Sequence, residues 1–160
     1  MKEIKKGNLI KIPLDRIKEV VEAEPKVACS EEEIKLLLED IYQAVVEKSY
    51  IPQTPTVDNP ALSDDYIFDS NDENLVLKDL KRENFVGKIK DLGKGAKKRK
   101  TMGLPDEYLY VFKYACKLMR RDESISGLET EELLIYIKIN NRKVPYRKLF
   151  VVSFHKNRKK

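Results

Sequence analysis

The chain has 160 residues, 41% of them hydrophobic and 37% charged, with a net charge of +5. That length and apolar share suit one domain with a real core, or one domain with an appendage, and the absence of any apolar run of about eighteen residues excludes a membrane-spanning helix. The charge is unevenly divided: residues 1–74 carry 9 Lys/Arg against 17 Asp/Glu, and residues 75–160 carry 23 against 10. Such an asymmetry points to a polyanion-binding half beside an acidic one, or to two halves that attract each other across an internal interface.

In chain order, Leu14, Ile17, Val20 and Val21 share one face of a helix over 13–23, and Pro25 stops it. Ser30 followed by Glu31, Glu32 and Glu33 predicts a helix N-cap with a capping-box Glu33 and acid in the first turn. That helix should run to about Lys48, with Ile34, Leu37, Leu38, Ile41 and Val45 turned inward. Pro52, Pro55 and Pro60 then interrupt a polar stretch over 49–74, which reads as a linker or a wrapping arm. Leu75, Val76 and Leu77 suggest a short strand, and after it a helix capped by Asp79 with Leu80, Phe85, Ile89 and Leu92 as its apolar positions. Residues 93–100 read as a flexible basic loop.

Over 107–119 a helical stripe and a strand alternation both fit, and the wealth of Tyr, Val and Phe favours the strand. Residues 133–140 form a clearer strand, 140–143 a turn, and 148–155 a second strand whose nearly unbroken apolar run suggests a central place in the sheet. The expected architecture is α+β, with N-terminal helices followed by a small antiparallel sheet. It divides into an acidic helical segment over 1–48, an extended linker or arm over 49–74 and a basic α+β domain over 75–160.

The first residues lack the apolar stretch of a signal peptide, so the chain is expected to be cytoplasmic. Cys29 and Cys116 are far apart and there is one histidine, which suits free thiols in a reducing compartment and not a zinc site. No glycine-rich phosphate loop and no dinucleotide fingerprint occurs, so neither a metal nor a cofactor is expected. The clearest functional signal is the cation run Lys94, Lys97, Lys98, Arg99 and Lys100, suited to following a phosphate backbone. Further cations lie on or beside the proposed sheet: Lys113, Lys138, Arg142, Arg147 and Lys156. Tyr108, Tyr110, Tyr114, Tyr136 and Tyr146 interleave with them, and aromatics among cations suit single-stranded RNA, whose unstacked bases need flat partners. His155, at the end of the last strand, is a candidate general acid within that basic surface.

The run Leu80-Lys81-Arg82-Glu83-Asn84-Phe85, the tyrosine-rich strand, Leu134-Ile135-Tyr136-Ile137-Lys138-Ile139 and the closing Phe150-Val151-Val152-Ser153-Phe154-His155-Lys156 together resemble the MqsR branch of the RelE-like mRNA interferases. The resemblance covers about residues 75–157. It implies a RelE-like fold, metal-independent cleavage of RNA as in toxin–antitoxin systems, and a cognate antitoxin as partner. By the same resemblance Lys88, one position out of register, would stand for the family's helix lysine, Tyr108 or Tyr110 for its strand tyrosine, and His155 for its terminal basic residue. The expected function is therefore a metal-independent endoribonuclease toxin. The alternatives are a non-catalytic RNA- or DNA-binding accessory protein, and an interaction protein that docks an acidic partner on its basic face.

Overall fold

The computed structural model describes residues 9–19, 26–54, 61–93, 95–121, 130–144 and 146–157. Its elements are β1 (Ile10–Lys11), α1 (Glu31–Val46), α2 (Ser70–Lys78), β2 (Phe85–Lys90), α3 (Ala96–Thr101), β3 (Tyr108–Met119), β4 (Thr130–Arg142) and β5 (Lys148–Lys156). The architecture is α+β with one five-stranded antiparallel sheet. β3 and β4 pair along ten residues, from Met119 opposite Thr130 to Tyr110 opposite Ile139. β5 lies on the far side of β4, and the other edge of β3 is shared between β1 and β2.

Strand alternation gives the sheet two unlike faces. Phe112, Tyr114, Cys116 and Leu118 of β3, with Leu133, Ile135, Ile137 and Ile139 of β4, meet Leu37, Ile41 and Val45 of α1 and Val76 and Leu77 of α2 in the main core. α1 starts at the expected N-cap, where the Ser30 hydroxyl accepts from the Glu33 amide at 3.1 Å, but the Glu33 carboxylate accepts from Lys88 and Tyr110 instead of closing the expected capping box. The opposite face carries no helix from α1 or α2; at one end Ile12, Leu14 and Ile17 cross it and cover Ala115 and Leu134.

Several expectations are corrected here. The helices do not all precede the sheet, because β1 comes first and α3 sits between β2 and β3. Within 13–23 the described residues form only a 3-10 turn at Leu14–Arg16, since Ile12, Leu14 and Ile17 are spent on an extended crossing of the sheet; residues 20–23 of that expected helix lie outside the described residues. Leu75, Val76 and Leu77 are helical, because Asp69 and Asp72 close a capping box that starts α2. Asp79 ends that helix instead of opening another, and Phe85 and Ile89 belong to β2. The basic stretch is not a loop: Gly95, at φ +88°, starts α3.

β5 is outermost and not central. Its apolar run has another cause, a β-bulge: Ser153 pairs with Lys138 but Val151 with Ile139, so Val152 is extra and turns out to solvent. Val151 and Phe154 thereby both reach the core. The free edge of β5 is covered by Ile51, whose amide donates to Leu149 and whose carbonyl accepts from Val151. The free edge of β2 is met by Val27, whose amide donates to the Lys88 carbonyl.

Candidate nucleic-acid interface

The face turned away from α1 and α2 carries Lys113, Lys138 and one aromatic pair. With Ile135, Ile137 and Ile139 in the core, β4 must turn Tyr136 and Lys138 the other way. Register then places Lys113 of β3 and His155 of β5 on either side of Tyr136, and Ser153 beside Lys138. The Tyr136 and His155 rings lie 5.4 Å apart at 44°, and the Lys138 ammonium is 5.7 Å from the Tyr136 ring centre. Neither Lys113 nor Lys138 has a carboxylate partner among the described residues. His155 is 9% exposed, with Nδ1 at 3.0 Å from the Lys156 carbonyl. A carbonyl only accepts, so in that bond Nδ1 is the donor.

Lys88, Tyr108 and Tyr110 lie on the other face. Lys88 pairs with Tyr110 in register, and both donate to Glu33 Oε2 of α1 at 2.6 Å. The Lys88 ammonium also lies 4.5 Å from the Tyr108 ring centre. Burial pushes the Tyr110 hydroxyl well above its ordinary value, and Glu33 pushes it further. A phenol so placed is a donor to Glu33 and a poor base. The four residues singled out for catalysis therefore form two groups on opposite faces: Lys88, Tyr108 and Tyr110 under α1, and His155 beside Tyr136.

The cations singled out for binding also divide. Arg99 and Arg142 both pair with Glu107, at 3.2 and 2.9 Å, Arg147 with Asp40 and Lys156 with Glu131, each at 2.8 Å. Lys97, Lys98 and Lys100, exposed on α3, have no ion-pair partner among the described residues, and Lys94 lies outside them. Lys97, Lys98, Lys100, Lys113 and Lys138 are thus the cations best placed to meet a polyanion. The carboxylates that hold the rest (Asp40, Glu107 and Glu131) carry no local sequence signal, because each acts through partners elsewhere in the chain.

Glu33, Asp40 and Glu131 sit below the usual carboxylate range. Burial opposes this, and hydrogen bonds outweigh it, chiefly from Lys88, Asn141 and Lys156 in turn. A depressed folded-state pKa contributes stability above the unfolded value of about 4, and that stability is lost as pH falls through the folded value. Glu73 works the other way, its pKa raised by burial. The urea midpoint is expected to hold from about pH 7 to pH 5 and to fall below about pH 4, less steeply in Glu33→Gln. A midpoint unchanged at about pH 3 would contradict this.

Among the described residues no cluster of His, Cys, Asp or Glu is placed to hold a metal ion, and no helix is long and apolar enough to cross a membrane. Comparison with protein-family models, with curated proteins and with solved structures finds no match for this chain.

Proposed function

We propose that the protein binds single-stranded RNA across the face of its sheet turned away from α1 and α2. One observation carries the reading: Tyr136 lies between Lys113 and His155, with Lys138 against its ring, on a face that α1 and α2 leave uncovered. An unstacked base needs a flat partner and its phosphates need unpaired cations, and this face offers both. Lys97, Lys98 and Lys100 of α3 add a second basic surface.

The contact between His155 and Tyr136 favours one second reading, metal-independent cleavage of the bound strand as in the RelE-like interferases. Attack of a 2′-hydroxyl on its own phosphate needs a base, a cation for the charged intermediate and an acid for the departing 5′-oxygen. His155 would move the proton, and Lys113 and Lys138 would meet the charge. On this reading the RelE-like fold and a cognate antitoxin follow from the sequence resemblance.

Incubation of the purified protein with labelled single-stranded RNA and EDTA separates the readings. Retention that weakens steeply with salt, with the RNA intact, supports binding alone. Cleavage to a 2′,3′-cyclic phosphate that is lost in His155→Ala supports the interferase reading. No retention at low salt overturns both.

A further inference from the structure

The β3–β4 ladder ends at Tyr110 opposite Ile139. Beyond it the strands part: Leu109 and Tyr108 pair only with Ile89 and Lys90 of β2, while Asn140, Asn141 and Arg142 pair only with β5. The parting leaves a cleft of about 250 Å³, lined among others by Tyr108, Tyr110, Asn141, Arg142 and Lys143.

We propose that this cleft is a nucleobase pocket that takes one unpaired base of the bound strand and prefers bases with an exocyclic amino group. The proposal rests on the RNA-binding reading and adds its base selectivity.

Three features carry it. First, the half-buried Tyr108 ring forms part of the wall, with the Lys88 ammonium 4.5 Å from its centre. A tyrosine face is a stacking partner for any base. Second, the amide of Asn141 is fixed in orientation. Its Nδ2 donates to Asp40 at 2.9 Å, and a carboxylate only accepts, so Oδ1 is left as the group that must be met by a donor. Cytosine N4, adenine N6 and guanine N2 are exocyclic amino donors with two hydrogens each, whereas uracil offers only its single ring N3–H between two carbonyls. Third, Lys143 lines the cleft and shares its carboxylate partner with Arg147 beside it. Asp40 carries one charge but serves both Lys143 and Arg147, at 3.1 and 2.8 Å, and both side chains are more than half exposed. One positive charge remains to meet a phosphate.

The cleft also lies near the sheet-face site. Lys138 precedes Asn140 by two residues of β4, about 7 Å of strand. Tyr108 and Asn141 belong to the α1 side of the sheet and Lys138 to the other, so a strand of RNA that meets both would pass through the parting between β3 and β4.

The test uses fluorescence anisotropy with labelled single-stranded oligo(rC) and oligo(rU), which differ at the exocyclic group and stack weakly on themselves. The wild-type protein should bind oligo(rC) severalfold more tightly. Tyr108→Leu should weaken oligo(rC) binding about tenfold or more. Asn141→Ala should abolish the preference, bringing oligo(rC) binding down to the level of oligo(rU). A Tyr108→Leu protein that melts like the wild type and keeps both affinity and preference overturns the pocket and leaves the RNA-binding reading standing. If Tyr108→Leu does not fold, Asn141→Ala decides: a retained preference for oligo(rC) overturns the proposal. Equal wild-type affinity for the two oligomers also overturns the pocket alone, and no binding of either at low salt overturns both readings.

Discussion

Glu107→Ala is expected to lower folding stability by about 3–5 kcal/mol, the cost of leaving buried charges without their partner. The Glu107 side chain is 8% exposed and stands at the centre of a polar network. Its Oε1 accepts from Asn140 Nδ2 at 2.9 Å and from Arg142, and its Oε2 accepts from Arg142 Nε at 2.9 Å. Arg99 of α3 reaches the same carboxylate. Truncation would strand two guanidiniums that are themselves largely buried, and Asn140 would keep only its bond to Asp91. Glu107→Gln keeps an acceptor but loses the charge, so it should fall between the two. Urea denaturation measures all three proteins, and a loss below about 1 kcal/mol in Glu107→Ala would mean that the network does not hold this end of the sheet. Arg99 is the link from that network to α3, so the same variant should also loosen the unpaired lysines, which faster amide exchange over residues 96–101 would reveal.

Tyr136→Ala should weaken single-stranded RNA binding by about 1–3 kcal/mol, or roughly tenfold to a hundredfold in Kd. The ring is only half-buried and belongs to neither hydrophobic cluster, so its loss should perturb the fold little. Tyr136→Phe keeps the flat surface and should bind nearly as well as the wild type. Lys113→Gln and Lys138→Gln should act differently: each removes a cation, and each should lower the slope of log affinity against log salt by about 0.7. That split between a ring that sets affinity and lysines that set salt dependence distinguishes stacking from general attraction. If Tyr136→Ala binds like the wild type while substitution of Lys97, Lys98 and Lys100 abolishes binding, the RNA lies on α3 and not on the sheet.

The strands β3 and β4 and the helix α1 were legible because their signals are local. Alternation marks β4, the wealth of Tyr, Val and Phe tips β3 from a helical stripe to a strand, and Ser30 as N-cap marks the helix start. Residues 69–90 misled for a physical reason. Leu80, Phe85, Ile89 and Leu92 have near-helical spacing, but Asp69 and Asp72 had already started α2, which leaves Asp79 at its end. β2 then finds its identity in pairing with β3, a contact no window of sequence contains. The same limit governs the candidate site. Strand parity alone puts Lys138 and Tyr136 on a common face. That Glu33 would hold both Lys88 and Tyr110, or that Lys113 would stand beside Tyr136, depends on register and helix placement. The acidic first half does meet the basic second half through Glu31, Glu33 and Asp40, and α1 does so as part of the main core.

The seal that Ile51 forms along β5 bears on the fate of the chain outside its native state. Residues 149–154 read Leu-Phe-Val-Val-Ser-Phe, six uncharged residues of high strand propensity with no proline, which is the composition of fibril-forming segments. In the folded protein that segment has no open edge: β4 occupies one side, and Ile51 and the Gln53 side chain hydrogen-bond the other. Lys148 and Lys156 flank it as gatekeepers, and the bulge at Val152 breaks its flatness. Until the Tyr50–Gln53 strap docks, those two lysines are the segment's main defence against self-association, so slow docking of that short piece would set how readily the newly made chain aggregates.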